Sequence, residues 1–172
     1  KKHLARTGMK ILLTGSTGYI GRRLLPVLLA NGNEIICLVR DKRRFDWDDF
    51  SNEELSRIEV IEADLTQPIP HHPLQIDAAY YLVHSMSSSD QDFSELESQS
   101  AINFINYINL SNARQIIYLS GIANDNQLSD HLLSRKNVED ILRTAAMPVT
   151  ILRAAIIIGS GSASFEIIRD LV

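Results

Sequence analysis

The chain has 172 residues, 45% of them hydrophobic and 22% charged, enough to bury one sizeable core and short of what two independent domains need. Seventeen basic against twenty-one acidic side chains leave a net charge of −4, which argues against a broad nucleic-acid-binding face. No apolar run reaches the roughly 18 residues of a spanning helix, the opening KKHLARTG lacks the apolar middle of a signal peptide, and a lone cysteine, Cys37, leaves no disulfide framework, so the expected location is the cytoplasm.

Residues 1–9 are set aside as a leader, with Met9 a candidate native start, and residues 10–172 are read as one domain. The apolar run KILLTG (10–15) predicts the first strand, and Tyr19 to Asn31 has helical spacing, stopped by Asn31-Gly32-Asn33, where Gly32 is free to adopt a left-handed cap. EIICLV (34–39) is the second strand, with Cys37 a buried, quiet thiol inside it. The charged stretch Arg40 to Ser56 reads as irregular, with a weak helix at Asn52 to Leu55. RIEVIEA (57–63) is the third strand, and a proline-rich loop, Thr66 to Pro73, leads to the fourth, AAYYLVH (78–84). A helix over Phe93 to Leu110, a strand QIIYLS (115–120), a helix over Leu128 to Ala145 stopped by Pro148, and the run VTILRAAIIIG (149–159) complete the order.

Strand and helix alternate throughout, and the strands carry little polar interruption, as strands buried on both faces do. The fold expected is α/β: a doubly wound parallel sheet of about six strands in three αβα layers, the Rossmann arrangement.

Gly15, Gly18 and Gly21 lie between the first strand and the first helix. In that setting the first glycine permits a tight turn, the second lets backbone N–H groups approach a pyrophosphate, and the third lets the helix pack on the strand. The loop Gly15-Ser16-Thr17-Gly18-Tyr19-Ile20-Gly21 resembles the T-G-x-x-G-x-x-G loop of short-chain dehydrogenases/reductases in their extended and atypical branches. With AYYLVHSM, HLLSRKNVE and LRAAIIIGSGSASFE, the chain is most similar to atypical, NmrA-like NAD(P)H-binding proteins, including those described as nucleoside-diphosphate-sugar epimerase-like.

That resemblance implies a dinucleotide cofactor bound by the glycine loop, an oxidoreductase- or epimerase-like activity, and either a small-molecule substrate or a protein partner. It also implies an adenine contact at Asp64-Leu65, with a turn cap as the competing role of Asp64, and a domain whose substrate-binding part lies beyond Val172. At the end of the second strand an acid would accept hydrogen bonds from a ribose 2′-hydroxyl and an arginine would pair with a 2′-phosphate. Arg40, followed by Lys42, Arg43 and Arg44, favours NADP over NAD, with Arg22 as an additional cation. Asp41 turned inward would move the preference toward NAD.

Relatives that transfer hydride carry a tyrosine and a lysine four apart on the helix after the fifth strand, and a serine at that strand's end. Here the helix reads Asp130-His131-Leu132-Leu133-Ser134-Arg135-Lys136-Asn137-Val138-Glu139. Anchored on Glu139, His131 and Arg135 take the two positions; anchored on Lys136, Leu132 takes that of the tyrosine. Neither register restores the pair. The candidate catalytic residues are His131, Arg135 and Ser120, with the alternative that the domain binds its cofactor without turnover. His84 ends the fourth strand and Ser85 follows it, both beside the expected crevice as candidate cofactor contacts. His71 and His72 lie in the proline-rich loop without matching ligand spacing, and no metal site is expected.

Overall fold

The computed structural model describes residues 8–70, 75–83, 90–122, 130–155, 157–162 and 169–170, without the side chains at 90–93 and 130–131. Six strands, β1 (Lys10–Thr14), β2 (Glu34–Val39), β3 (Ile58–Glu62), β4 (Ala78–Tyr81), β5 (Ile116–Gly121) and β6 (Val149–Ala154), alternate with helices α1 (Tyr19–Ala30), α2 (Asn52–Leu55), α3 (Asp90–Ile108) and α4 (Asp130–Leu142). The sheet has the order β3-β2-β1-β4-β5-β6, and every pairing is parallel.

Period-two alternation in β1 sends Ile11 and Leu13 to one face, against Leu25 and Leu29 of α1, and Leu12 to the other, with Phe104 and Ile108 of α3 and Leu142 of α4. Both faces of the central strands are thus covered, which is why they read as unbroken apolar runs. The Asn31-Gly32-Asn33 stop is a Schellman turn: Gly32 has φ +78°, and the N–H groups of Gly32 and Asn33 donate to the carbonyls of Leu29 and Leu28.

Two strands are shorter than the apolar runs that mark them. β4 ends at Tyr81 rather than at residue 84, because the Leu82 N–H donates to the Thr14 hydroxyl instead of a strand carbonyl. β6 ends at Ala154 rather than 159, where its ladder partner β5 runs out at Gly121. The charged stretch 40–56 holds two 3-10 turns, Lys42–Arg44 and Trp47–Asp49, and then α2, whose capping box pairs Ser51 with Glu54. Phe45 anchors it, buried in the core on the α1 face with Trp47 and Phe50 against its ring.

From β1 the chain winds outward to β2 and β3, then returns to β4 on the other side of β1 and winds outward again. The connections leaving the carboxyl ends of β1 and β4 therefore diverge, and a crevice opens between them, the place where open parallel sheets bind ligands.

Candidate functional site

Thr14, fully buried at the end of β1, donates its hydroxyl to the Tyr80 carbonyl and accepts from the Leu82 N–H, both at 3.1 Å. This stitch lays the following turn against β4. Gly15 has φ +72°, and a Cβ there would lie 2.7 Å from the Leu82 carbonyl oxygen. At Gly21 a Cβ would lie 2.1 Å from the Gly15 carbonyl oxygen, and at Gly18 one would lie 3.2 Å from that same atom. The first and third glycines are thus demanded by protein contacts, whereas Gly18 faces outward. Gly18 is the N-cap of α1, and no side chain caps the helix. Its first-turn N–H groups and the positive end of its dipole suit an anion, the arrangement a pyrophosphate requires.

These residues border a cavity of about 930 Å³, which they share with the carboxyl ends of β2, β3, β4 and β5. Gly15, Thr17, Gly18, Tyr19, Ile20 and Gly21 line it; Ser16 does not. The Ser16 side chain is buried beside Cys37, whose thiol is pushed up to about 12 by burial, so only the backbone of Ser16 remains for ligand contact.

At the β2 end Arg40, Asp41 and Arg44 line the cavity. Asp41 is occupied: Oδ1 accepts from the N–H and Nε of Arg43 at 3.0 and 2.9 Å, and Oδ2 from an Arg43 Nη at 2.8 Å. The Arg43 fork holds its carboxyl down to about 2. Arg22 is paired with Asp46 at 2.9 Å and lies outside the cavity lining. At the β3 end Asp64 and Leu65 line the cavity. Asp64 Oδ1 accepts from the Thr66 N–H and hydroxyl, so the turn-cap role is present, and the buried Asn103 amide of α3 donates to the Leu65 carbonyl at 2.8 Å, pinning this edge.

Ser120, Gly121, Leu132 and Arg135 line the far end. The Ser120 hydroxyl is buried beside the Glu139 carboxyl and the Tyr118 hydroxyl and makes no hydrogen bond of good geometry with either. Of the two registers for α4, Arg135 faces the cavity, packing against Gly121, while Lys136 is exposed and outside its lining. Just below, Glu139 is buried and accepts from Arg153 of β6 at 3.1 and 2.6 Å; Arg153 holds its carboxyl below the ordinary range. His131 belongs to α4 one turn before Arg135, its side chain outside the description, and His84, Ser85, His71 and His72 lie outside the described residues.

Several lining residues carry no mark in the sequence: Ser100 of α3, Leu38, Ala63, Ala154 and Ile157. Four are apolar groups at or near strand ends, legible only as continuations of the strands, and Ser100 is one serine among several on its helix.

The family model described as NAD(P)H-binding matches residues 15–170. The chain belongs to this NAD(P)H-binding family, and its fold and glycine loop are those of a dinucleotide-binding domain. Solved structures share the fold: a protein of Bacillus halodurans assigned as an NAD-dependent epimerase/dehydratase (TM-score 0.71, 21% identity, 91% of this chain and 74% of that one), the triphenylmethane reductase of Citrobacter sp. (0.65, 18%, 86% and 49%), and the UDP-glucuronic acid 4-epimerase of Bacillus cereus in complex with NAD (0.66, 18%, 88% and 57%). A curated protein, the trichosetin synthetase PKS-NRPS1 of Gibberella fujikuroi, is 39% identical over 64 residues, 36% of this chain; the match spans 2% of that relative's length. Among the described residues no helix is long and apolar enough to cross a membrane.

Proposed function

We propose that this chain is the cofactor domain of an oxidoreductase- or epimerase-like enzyme of the atypical short-chain type, and that it takes NADP(H) in preference to NAD(H). The observation that carries the preference is the engagement of Asp41. An acid that is to accept from a ribose diol needs a carboxylate open to the cavity, and both oxygens of Asp41 are held by Arg43. Arg40 and Arg44 stand at the same rim with no ion pair among the described residues, a pair of donors suited to a 2′-phosphate.

The residues present fit such a group along its length. The uncapped start of α1 suits the pyrophosphate, the Asp64-Leu65 edge suits the adenine, and the Ser120 hydroxyl, at the cavity lining, suits a polar atom at the nicotinamide end. When bound, the nicotinamide supplies or accepts a hydride. Ser120 is suited to donate a hydrogen bond to a substrate oxygen. Arg135 is suited to hold a ribose hydroxyl, but its guanidinium stays protonated and passes no proton. Proton delivery falls to His131, whose imidazole titrates near 6.5 when unperturbed.

A second reading is a domain that binds NADP(H) without turnover. It is favoured by α4, where neither register supplies a tyrosine and a lysine four apart and the residues of that helix lining the cavity are Leu132 and Arg135.

Titration of the parent and Arg40→Ala with NADPH and NADH tests the preference. The parent should bind NADPH more tightly, and the variant should narrow the ratio about tenfold or more, because a charge-assisted contact is worth about 1.5–3 kcal/mol. Equal losses for both dinucleotides would defeat the proposal. In the same experiment, NADPH oxidation with a carbonyl panel separates the two readings. Turnover that follows one ionisation near pH 6.5 and disappears in His131→Phe supports catalysis; retained binding without oxidation supports the second reading.

A further inference from the structure

Outside the cavity, one set of contacts joins parts of the chain 137 residues apart. Arg23, one turn into α1, lays its guanidinium 3.7 Å from the centre of the Tyr19 ring. One Nη donates to the Tyr19 carbonyl at 3.2 Å and the other to the Ser160 carbonyl at 2.6 Å. Gly159 passes so close to the Tyr19 hydroxyl that a Cβ would lie 2.2 Å from it. The segment making these contacts is itself closed. The Ser162 N–H donates to the Gly159 carbonyl at 2.9 Å, its hydroxyl donates to the Ile157 carbonyl at 3.0 Å, and Gly161 turns at φ +78°. Tyr19 and Ile157, the two ends of this arrangement, both line the cavity.

We propose that Arg23, Tyr19 and the Gly159–Ser162 turn form a clasp that holds the Ile157 wall against the phosphate loop and sets how slowly the dinucleotide leaves. The inference rests on dinucleotide binding at the start of α1 and is independent of the choice between NADP and NAD. Arg23 is a positioning residue. Its planar fork reaches two carbonyls while stacking on a ring, a geometry available to a guanidinium and not to an ammonium. A dinucleotide seated between wall and loop leaves when the two part, so loosening the clasp raises the dissociation rate. The association rate, governed by encounter and orientation, changes little.

Stopped-flow displacement of NADPH and of NADH from the parent, Arg23→Ala, Arg23→Lys and Gly159→Ala tests this. Each variant should release both dinucleotides roughly tenfold faster, an effect of the size expected from losing one charged hydrogen bond, with association within about twofold. Arg23→Lys should be as fast as Arg23→Ala, and the double variant Arg23→Ala/Gly159→Ala should be no faster than either single one, since both act on one unit. Amide exchange at Ser162 without dinucleotide should quicken in Arg23→Ala, which reads the clasp apart from binding. Unchanged dissociation in all three variants would overturn the proposal. So would restoration of the parent rate by lysine, which would leave only the charge of Arg23. A parent that bound neither dinucleotide would overturn the role in release together with the cofactor reading, whereas unchanged variants of a binding parent would overturn the clasp alone.

Discussion

A methyl group on Gly21 would meet the Gly15 carbonyl oxygen at 2.1 Å, backbone that has no room to yield, whereas on Gly18 it would sit 3.2 Å from the same atom, tight but tolerable. Gly21→Ala should therefore lose both fold stability and binding. Overpacking costs about 1–3 kcal/mol, which for a chain of this size lowers Tm by roughly 2–4 °C per kcal/mol. Gly18→Val should keep its Tm within a few degrees and lose NAD(P)H binding, because the branched side chain would project into the space before the α1 N–H groups, where we propose that the pyrophosphate binds. Thermal melts beside a binding titration separate the two, and a Gly18→Val protein that binds like its parent would show that the anion does not approach there. The glycine turn is legible in the sequence because its steric constraint is local; Arg40 is read from its place at the end of β2, and the structure puts it on the cavity rim. The Asp41–Arg43 contact is also local: an aspartate that caps the next turn and grips the arginine two residues on is a turn signal in D-K-R-R. Ser16 was illegible, since whether a loop side chain faces ligand or core depends on the turn that Gly15 makes.

Among the elements, α4 and β6 are joined at a point where pH acts. Glu139, buried on α4, has its carboxyl held below the ordinary range by Arg153 of β6. A carboxyl with a depressed folded-state pKa stabilises the fold fully above its unfolded value, about 4.3, and that contribution fades as pH falls through the lower folded value. Glu139→Gln should therefore cost on the order of 1 kcal/mol at pH 7, a modest figure because Arg153 is more than half exposed and its charge is screened. The deficit should shrink below about pH 4. Urea unfolding at pH 7 and at successive steps below pH 5 measures it; a deficit constant across that range would mean that the ion pair contributes nothing. The element order was readable from alternating apolar runs and helical spacing, and α1 was readable despite Pro26 at its middle. The ends of β4 and β6 were not, because apolar residues continue past the point where the ladder stops. What ends the ladder is the Thr14 hydroxyl in one case and the length of β5 in the other, neither of which is a property of the run itself.

For the molecule as a whole, the central position of β1 has a kinetic meaning. β1 pairs with β2, whose residues follow about 24 positions later, and with β4, where Ile11 meets Ala78 and Leu13 meets Tyr80 at a separation of 67 residues. Until β4 is in place, one side of this central strand has its backbone hydrogen-bonding groups unsatisfied. The Thr14 stitch and the Gly15 turn, which depend on the Tyr80 and Leu82 backbone, are then not formed either. Closing so long a loop costs chain entropy before any contact compensates for it, and parallel pairing at such separations belongs to the slow end of single-domain folding, milliseconds to seconds. Refolding followed by tyrosine and tryptophan fluorescence should fall in that range. Hydrogen exchange during refolding should protect the β1–β2 amides no later than those that join β1 to β4, and the Gly15–Gly21 turn should acquire protection only with the latter. On a ribosome the same order means that the Gly15–Gly21 loop, though synthesised about sixty residues earlier, has no rigid form until the chain past Leu82 has emerged.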